Sequence, residues 1–171
     1  ETAFSRAADM KACPIGADSA CCKHCFMGPC RLNPKDPYSK VGVCGATIDT
    51  IAGRNFARMV ASGCAAHTDH GMSMLDVFRE VVNGKIQDYQ IKDEEKLRSV
   101  AQSVGIEVVG RETMEIAKEL YEELERTYTQ VEGEIPFVSR VPAKTLETWR
   151  KYGLVPRGSM REIMEIMHRT H

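Results

Sequence analysis

Six of the seven cysteines lie between positions 13 and 44, at Cys13, Cys21, Cys22, Cys25, Cys30 and Cys44, and Cys64 stands apart. Thiols this dense pair as disulfides, hold zinc or hold an iron-sulfur cluster. Disulfides are the weakest reading. The opening Glu1-Thr-Ala-Phe-Ser-Arg carries no apolar signal segment, and 171 residues can form a core without staples, so a reducing, cytoplasmic compartment is expected. Structural zinc sites usually show two short Cys knuckles. Here a single knuckle, Cys22 to Cys25, is followed by lone cysteines at 30 and 44. Four thiolates arriving one at a time suit a [4Fe-4S] cubane, in which each iron needs one cysteine, and Gly28, Gly42 and Gly45 would let the backbone come close. Spacing favours iron and sulfide and leaves zinc open.

Cys21 and Cys22 are adjacent, and neighbouring side chains in an extended or turning segment point apart, so one pocket would not normally take both. Cys22, Cys25, Cys30 and Cys44 then complete one cluster, and Cys13 with Cys21 remain as half a ligand set. A second copy of the chain across a two-fold axis would complete it. Two free thiols fit the spacing equally well.

Other polar residues carry weaker signals. His67 and His70 lie three apart beside Asp69, which by itself reads as a polar cluster at a helix end. Cys64, one turn before His67, reads as a small buried apolar residue rather than a metal ligand. His24 would be a fifth ligand that the cluster does not need. Lys23, Arg31, Arg54 and Arg58 fit either charge compensation near a cluster or a solvated surface.

The elements that must position these residues read as helices. An apolar stripe of Ile48, Ile51, Ala52, Phe56, Met59, Val60, Gly63 and Cys64 predicts a buried helix face over 47–67, with its N-terminal amides close to Cys44. Further helices are expected over 73–82, 93–103 with Gly105 as its stop, and 112–128. The last has an inner stripe of Met114, Ala117, Leu120, Tyr121, Leu124 and Tyr128. Pro142 opens a helix ending at Gly153, and Ser159 with Glu162 forms a capping box for a final one. Ile106–Val109 is a weak strand candidate. The expected fold is all-α: a helical bundle, residues 47–171, behind an irregular iron-sulfur-binding loop region, residues 1–46.

Composition fits an ordinary globular domain. The chain is 43% hydrophobic and 27% charged with net charge −1, which suggests neither nucleic acid nor membrane as partner. No apolar run approaches the ~18 residues of a membrane span.

Several stretches together resemble the N-terminal region of the nickel-containing, anaerobic carbon monoxide dehydrogenases. They are Cys21-Cys-Lys-His-Cys-Phe-Met-Gly-Pro-Cys-Arg, Val41-Gly-Val-Cys-Gly-Ala-Thr, Arg54-Asn-Phe-Ala-Arg-Met and Ala65-Ala-His-Thr-Asp-His-Gly. Ile86-Gln-Asp-Tyr, Trp149-Arg-Lys-Tyr-Gly and Ile166-Met-His-Arg-Thr-His extend the similarity along nearly the whole chain. Hybrid-cluster proteins also open with a compact cysteine motif, but with other spacing and without the Met-Gly-Pro-Cys-Arg run.

The resemblance implies that Cys22, Cys25, Cys30 and Cys44 hold a [4Fe-4S] cluster within the subunit. It further implies that Cys13 and Cys21 hold one shared across a homodimer. Together they would carry electrons between a nickel-iron-sulfur centre and an external acceptor such as ferredoxin, for CO + H2O to CO2 with two protons and two electrons. The family's nickel ligands lie in later domains. The chain begins without Met and stops at His171, so the expectation is an N-terminal fragment, inactive alone, whose parent enzyme is either monofunctional or joined to an acetyl-CoA synthase. The histidines matching His67 and His70 belong to a series proposed to conduct protons, and Ser73 stands at its next step.

Two readings from other classes compete with the electron-transfer and dimer-forming domain. One is a structural zinc-binding interaction module, and a remote one is a redox sensor with a labile site at Cys13 and Cys21. Leu154-Val-Pro-Arg-Gly-Ser159 is identical to the thrombin site of engineered fusions. Because the resemblance runs through and beyond it, it reads as native sequence, cut after Arg157 if the turn is exposed.

Overall fold

The computed structural model describes residues 1–170 and is mostly α-helical, with one two-stranded ribbon among the described residues. Two compact units are formed, residues 1–60 with those from Met167 onward, and residues 61–166.

The first unit begins with α1 (Ala3–Asp9), closed by a reciprocal capping box between Thr2 and Ser5, and a single turn, α2 (Pro14–Ala17), capped by Cys13. Strands β1 (Cys21–Cys22) and β2 (Cys30–Arg31) pair antiparallel, with Cys21 opposite Arg31 and Cys22 opposite Cys30. Neither the two short helices nor the strand pairing carries a periodic signal long enough to read from sequence. Helix α3 (Ile48–Val82) then begins, with the Thr50 N–H donating to Thr47 Oγ1 at 3.3 Å. Cys22, Leu32, Ala46 and Ile51 form the small core of this unit.

Where sequence predicts two helices, 47–67 and 73–82, there is one of 35 residues. Gly71 is its point of contact with α5 (Thr113–Thr129) rather than a break: a Cβ there would run into the ring and hydroxyl of Tyr128. Glycine costs about 1 kcal/mol in a helix interior, and here that cost lets an aromatic ring reach the helix backbone. The expected buried face is also corrected. Ile51 is fully buried, but Phe56, Met59 and Val60 are 64%, 65% and 44% exposed.

In the second unit, α4 (Glu94–Ser103) starts at Asp93, whose carboxylate accepts from the Lys96 N–H at 2.9 Å, and turns out at Gly105, φ 91°. It packs with α5 around Ala101, Ile106, Val108, Ile116 and Leu120. Residues 106–109 are a loop, not a strand. Glu107 Oε1 takes the N–H groups of Val108 and Val109, and the Arg98 guanidinium donates to the carbonyls of Val108 and Arg111, both at 3.0 Å. Local partners therefore use up the groups that a ladder would need. Of the expected inner stripe of α5, Ala117 and Leu120 are buried and Leu124 packs against the core of this unit, but Met114 is 45% exposed and Ile116, fully buried, joins the face.

A 3-10 helix (Pro136–Arg140) leads into α6 (Ala143–Tyr152), which follows Pro142 and stops at Gly153, left-handed at φ 65°, as expected. The final helix, α7 (Ser159–Thr170), does not form the expected capping box. Ser159 Oγ is buried without a partner, and the Glu162 carboxylate instead accepts from the Arg157 N–H at 3.1 Å and from Arg157 Nε at 3.0 Å.

That ion pair governs the protease-like hexapeptide. Arg157 also faces Glu165 at 3.8 Å, and buried Gly158 sits at φ 147°, where a Cβ would collide with the Gln130 carbonyl. Thrombin needs the arginine side chain free and the flanking chain extended. Native protein is expected to resist cleavage after Arg157, and Glu162→Gln, which removes the ion pair that holds the segment closed, should raise the rate by about fivefold. A time course of the cleavage products on a gel checks both.

Candidate metal centre

Cys22 and Cys30 face each other across β1 and β2, so their side chains rise from the same side of the ribbon. Cys25 and Cys44 join them from the adjoining loops, and the four thiols line one cavity of about 220 Å³ with Met27, Val43 and Arg54 on its wall. Cys21, one residue from Cys22, lines a second concavity together with Cys13, Gly16, Lys23 and Arg31. Strand alternation is the physical cause of the division. The thiols stand around a space rather than at a point: among the described residues no three of His, Cys, Asp or Glu come together as a site for a single ion.

Close backbone approach shapes the first cavity. The chain turns between Cys25 and Cys30 through a cis Gly28-Pro29 peptide, and a Cβ on Gly28 would lie 2.9 Å from the Cys30 nitrogen and 3.2 Å from the Cys22 carbonyl. Only glycine fits there. Gly45, at φ 84°, follows Cys44 for the separate reason that its backbone is left-handed. A Cβ on Gly42 would meet Cys30 at an ordinary 3.6 Å, and the Gly42 N–H donates to Ala46 O at 2.8 Å.

Donors converge on the sulfurs. The Val43 N–H donates to Cys30 Sγ at 3.5 Å, and Arg54 Nη1 donates to Cys44 Sγ at 3.6 Å. The Arg54 bond, with help from the Ala46 amide, holds the Cys44 thiol below its usual pKa. Cys13 is likewise lowered, first by the Gly16 and Ile15 amides at the start of α2 and then by the charges of Arg31 and Lys23. Both shifts favour thiolate, the form that binds metal. Four thiols with N–H donors beside them are the donor set of a thiolate-held iron-sulfur cluster, and the residues present fit that group.

Asn55 is the residue that sequence reasoning missed. Its Nδ2 lies 3.0 Å from Ser19 O, 3.2 Å from Ser19 Oγ and 3.1 Å from Cys21 O, all acceptors facing its two hydrogens. Ser19 holds a left-handed φ of 58°, uncommon without glycine, so the turn entering β1 is held in place from α3. The available signal is position: Asn55 is one turn after buried Ile51 and so on the same helix face.

The remaining candidates stand elsewhere. His67 and His70 are exposed on α3, three residues apart on a continuous helix, and Cys64 is half-buried on the same helix and lines neither cavity. Ser73 turns its hydroxyl to the Asp69 carbonyl at 3.0 Å. His24 lines the first cavity between its two neighbouring cysteines.

A family model described as the prismane/CO dehydrogenase family matches residues 20–171. The chain belongs to the prismane/CO dehydrogenase family. Among curated proteins of this family, carbon monoxide dehydrogenase 1 of Methanosarcina mazei is 41% identical over 172 residues, covering 100% of this chain and 27% of its own length. The carbon monoxide dehydrogenase/acetyl-CoA synthase subunit beta of Moorella thermoacetica is 36% identical, over 99% of this chain and 26% of its own. A nickel-free carbon monoxide dehydrogenase from Thermococcus sp. AM4 superimposes with a TM-score of 0.93 at 41% identity, covering 100% of this chain and 27% of that one. A structure of acetyl-CoA synthase/carbon monoxide dehydrogenase, described by NiZn[Fe4S4] and NiNi[Fe4S4] clusters in its alpha subunits, gives 0.91 at 36% identity, over 100% of this chain and 26% of that one. The chain thus spans about a quarter of the length of these relatives.

Asn55→Ala leaves two part-buried carbonyls short of a donor and should cost about 1–3 kcal/mol. Thermal unfolding followed by circular dichroism is expected to show Tm lowered by about 2–4 °C per kcal/mol for a chain of this size. Asn55→Asp, which sets a carboxylate against those carbonyls, should be worse.

Proposed function

We propose that this chain is the iron-sulfur electron-transfer and dimer-forming part of a nickel-containing carbon monoxide dehydrogenase, working in the cytoplasm on CO + H2O to CO2 + 2 H+ + 2 e−. The observation that carries the reading is the separation of six thiols into a set of four around one cavity and a pair on the other side of β1. Cys22, Cys25, Cys30 and Cys44 hold a cluster within the subunit. Cys13 and Cys21 hold half of one shared with a second copy of the chain, which an isologous interface supplies.

The clusters, when bound, supply one-electron steps. The chain's own residues do the rest: they favour the thiolate at Cys13 and Cys44 and hold the two ligand sets apart. Electrons pass between the nickel-iron-sulfur centre, held by other parts of the whole enzyme, and a ferredoxin-like acceptor. His67 and His70, exposed on α3, carry protons in that whole enzyme, and an acetyl-CoA synthase is a further partner where the parent is bifunctional. A structural zinc module is disfavoured because the four thiols line a cavity of about 220 Å³, more room than a single ion takes.

Iron, zinc and sulfide content of anaerobically purified protein, with its mass in solution, tests the reading. About six irons per chain in a dimer are expected, four private and half of four shared. About one zinc without sulfide overturns it. Cys22→Ser should remove the private cluster and leave the dimer, whereas Cys21→Ser should remove the shared one and shift the mass toward monomer. Unchanged iron in both variants would refute the ligand assignment.

A further inference from the structure

Arg54 stands three residues after Ile51 and one before Asn55, on the part of α3 that faces the cysteine loop. Its guanidinium donates to Cys44 Sγ at 3.6 Å and stands on the wall of the cavity that Cys22, Cys25 and Cys30 also line. Among the described residues it is the one lysine or arginine on that cavity's wall. The neighbouring wall, Met27 and Val43, is apolar, so Arg54 supplies the positive charge there. Lys23 and Arg31 stand instead beside Cys13 and Cys21.

We propose that Arg54 sets the reduction potential of the cluster held by Cys22, Cys25, Cys30 and Cys44, favouring the reduced form through its charge and its N–H bond to the Cys44 sulfur. This rests on the cluster reading above. Reduction adds one electron and no proton, so the cluster with its four thiolates becomes one unit more negative. A fixed positive charge and donors to sulfur stabilise that state more than the oxidised one, and so raise the potential. Removing them makes the cluster harder to reduce. Arginine suits the position because its guanidinium joins a permanent charge to several fixed N–H donors, whereas lysine would bring the charge to one point.

The test is a potentiometric titration with dithionite of anaerobically purified whole chain, as wild type, Arg54→Gln and Arg54→Lys, followed by electron paramagnetic resonance and visible absorption. Iron, sulfide and Tm are measured on the same samples. With iron and sulfide unchanged, Arg54→Gln is expected to lower the reduced-to-oxidised ratio of one cluster about tenfold at a fixed potential, equivalent to about 59 mV for a one-electron couple. Arg54→Lys should fall between it and wild type, and the second cluster should not move. An unmoved midpoint in Arg54→Gln with its iron intact overturns the proposal. So does loss of iron from both variants, which would make Arg54 a structural support, or an equal shift of both clusters. Wild-type protein that holds zinc and no sulfide defeats the underlying cluster reading instead, before any variant is compared.

Discussion

The first turns of α3 hold the cysteine loop in register, and the arrangement of the thiols depends on that hold. Ile51 is fully buried beneath Cys22, Leu32 and Ala46, Arg54 reaches Cys44, and Asn55 binds the turn entering β1. Positions i, i+3 and i+4 share a face, so one apolar anchor fixes the aim of both polar side chains. Burying an isoleucine contributes roughly 1.5–3 kcal/mol, comparable to what the Asn55 amide contributes by satisfying its carbonyls. A slip of one residue along the helix would turn the face by about 100° and lose all three contacts together. Two-residue strands have no wider sheet to orient them, which is why the helix must do it.

From this constraint follows the separation of the thiols. Pinning the Cys21 carbonyl orients β1, and the pleat then sends Cys21 and Cys22 to opposite sides. Six thiolates in one cavity would repel one another at short range. Two smaller sets, each beside its own cations, avoid that. The local donors differ in kind. Cys13 is favoured as thiolate mainly by amides at the start of a single helical turn, and Cys44 mainly by a guanidinium delivered from another element. The first environment is built into the backbone, while the second can be changed by one substitution.

The grouping of the cysteines around two cavities was legible in the sequence because adjacent residues of a strand point apart and the spacing is explicit. Helix ends at Asp93, Gly105 and Gly153 were legible because capping is a local matter. What could not be read depends on partners distant in sequence. Gly71 looks like a terminator until Tyr128, 57 positions away, is seen to need its missing side chain. Glu107 spends the N–H groups of a stretch whose apolar residues suggest a strand, and Arg98 takes its carbonyls. Phe56, Met59 and Val60 have the period of a buried face yet lie exposed, since periodicity tells which residues share a side and not what covers it. Asn55 was invisible for the same reason: its three acceptors lie 34 and 36 residues upstream.

The unbroken course of α3 also constrains any proton path along it. Each step of three residues on a continuous helix turns back by about 60° around the axis, so Cys64, His67, His70 and Ser73 wind around the cylinder instead of running straight along it. His67 and His70 remain close enough to share a water or exchange a proton, but Ser73 lies about 120° from His67 around the axis. The Ser73 hydroxyl is moreover committed to the Asp69 carbonyl at 3.0 Å, and in giving its hydrogen there it retains only acceptor capacity toward a third group. A relay along α3 therefore ends its side-chain steps at His70 unless that hydroxyl rotates, and the next carrier must be water or a group from outside the helix. A break at Gly71 would have removed this restriction by letting the second segment turn independently. Because Tyr128 fills the notch at Gly71 and the helix runs on, Ser73 is held by backbone geometry at a fixed angle from the two histidines that precede the glycine.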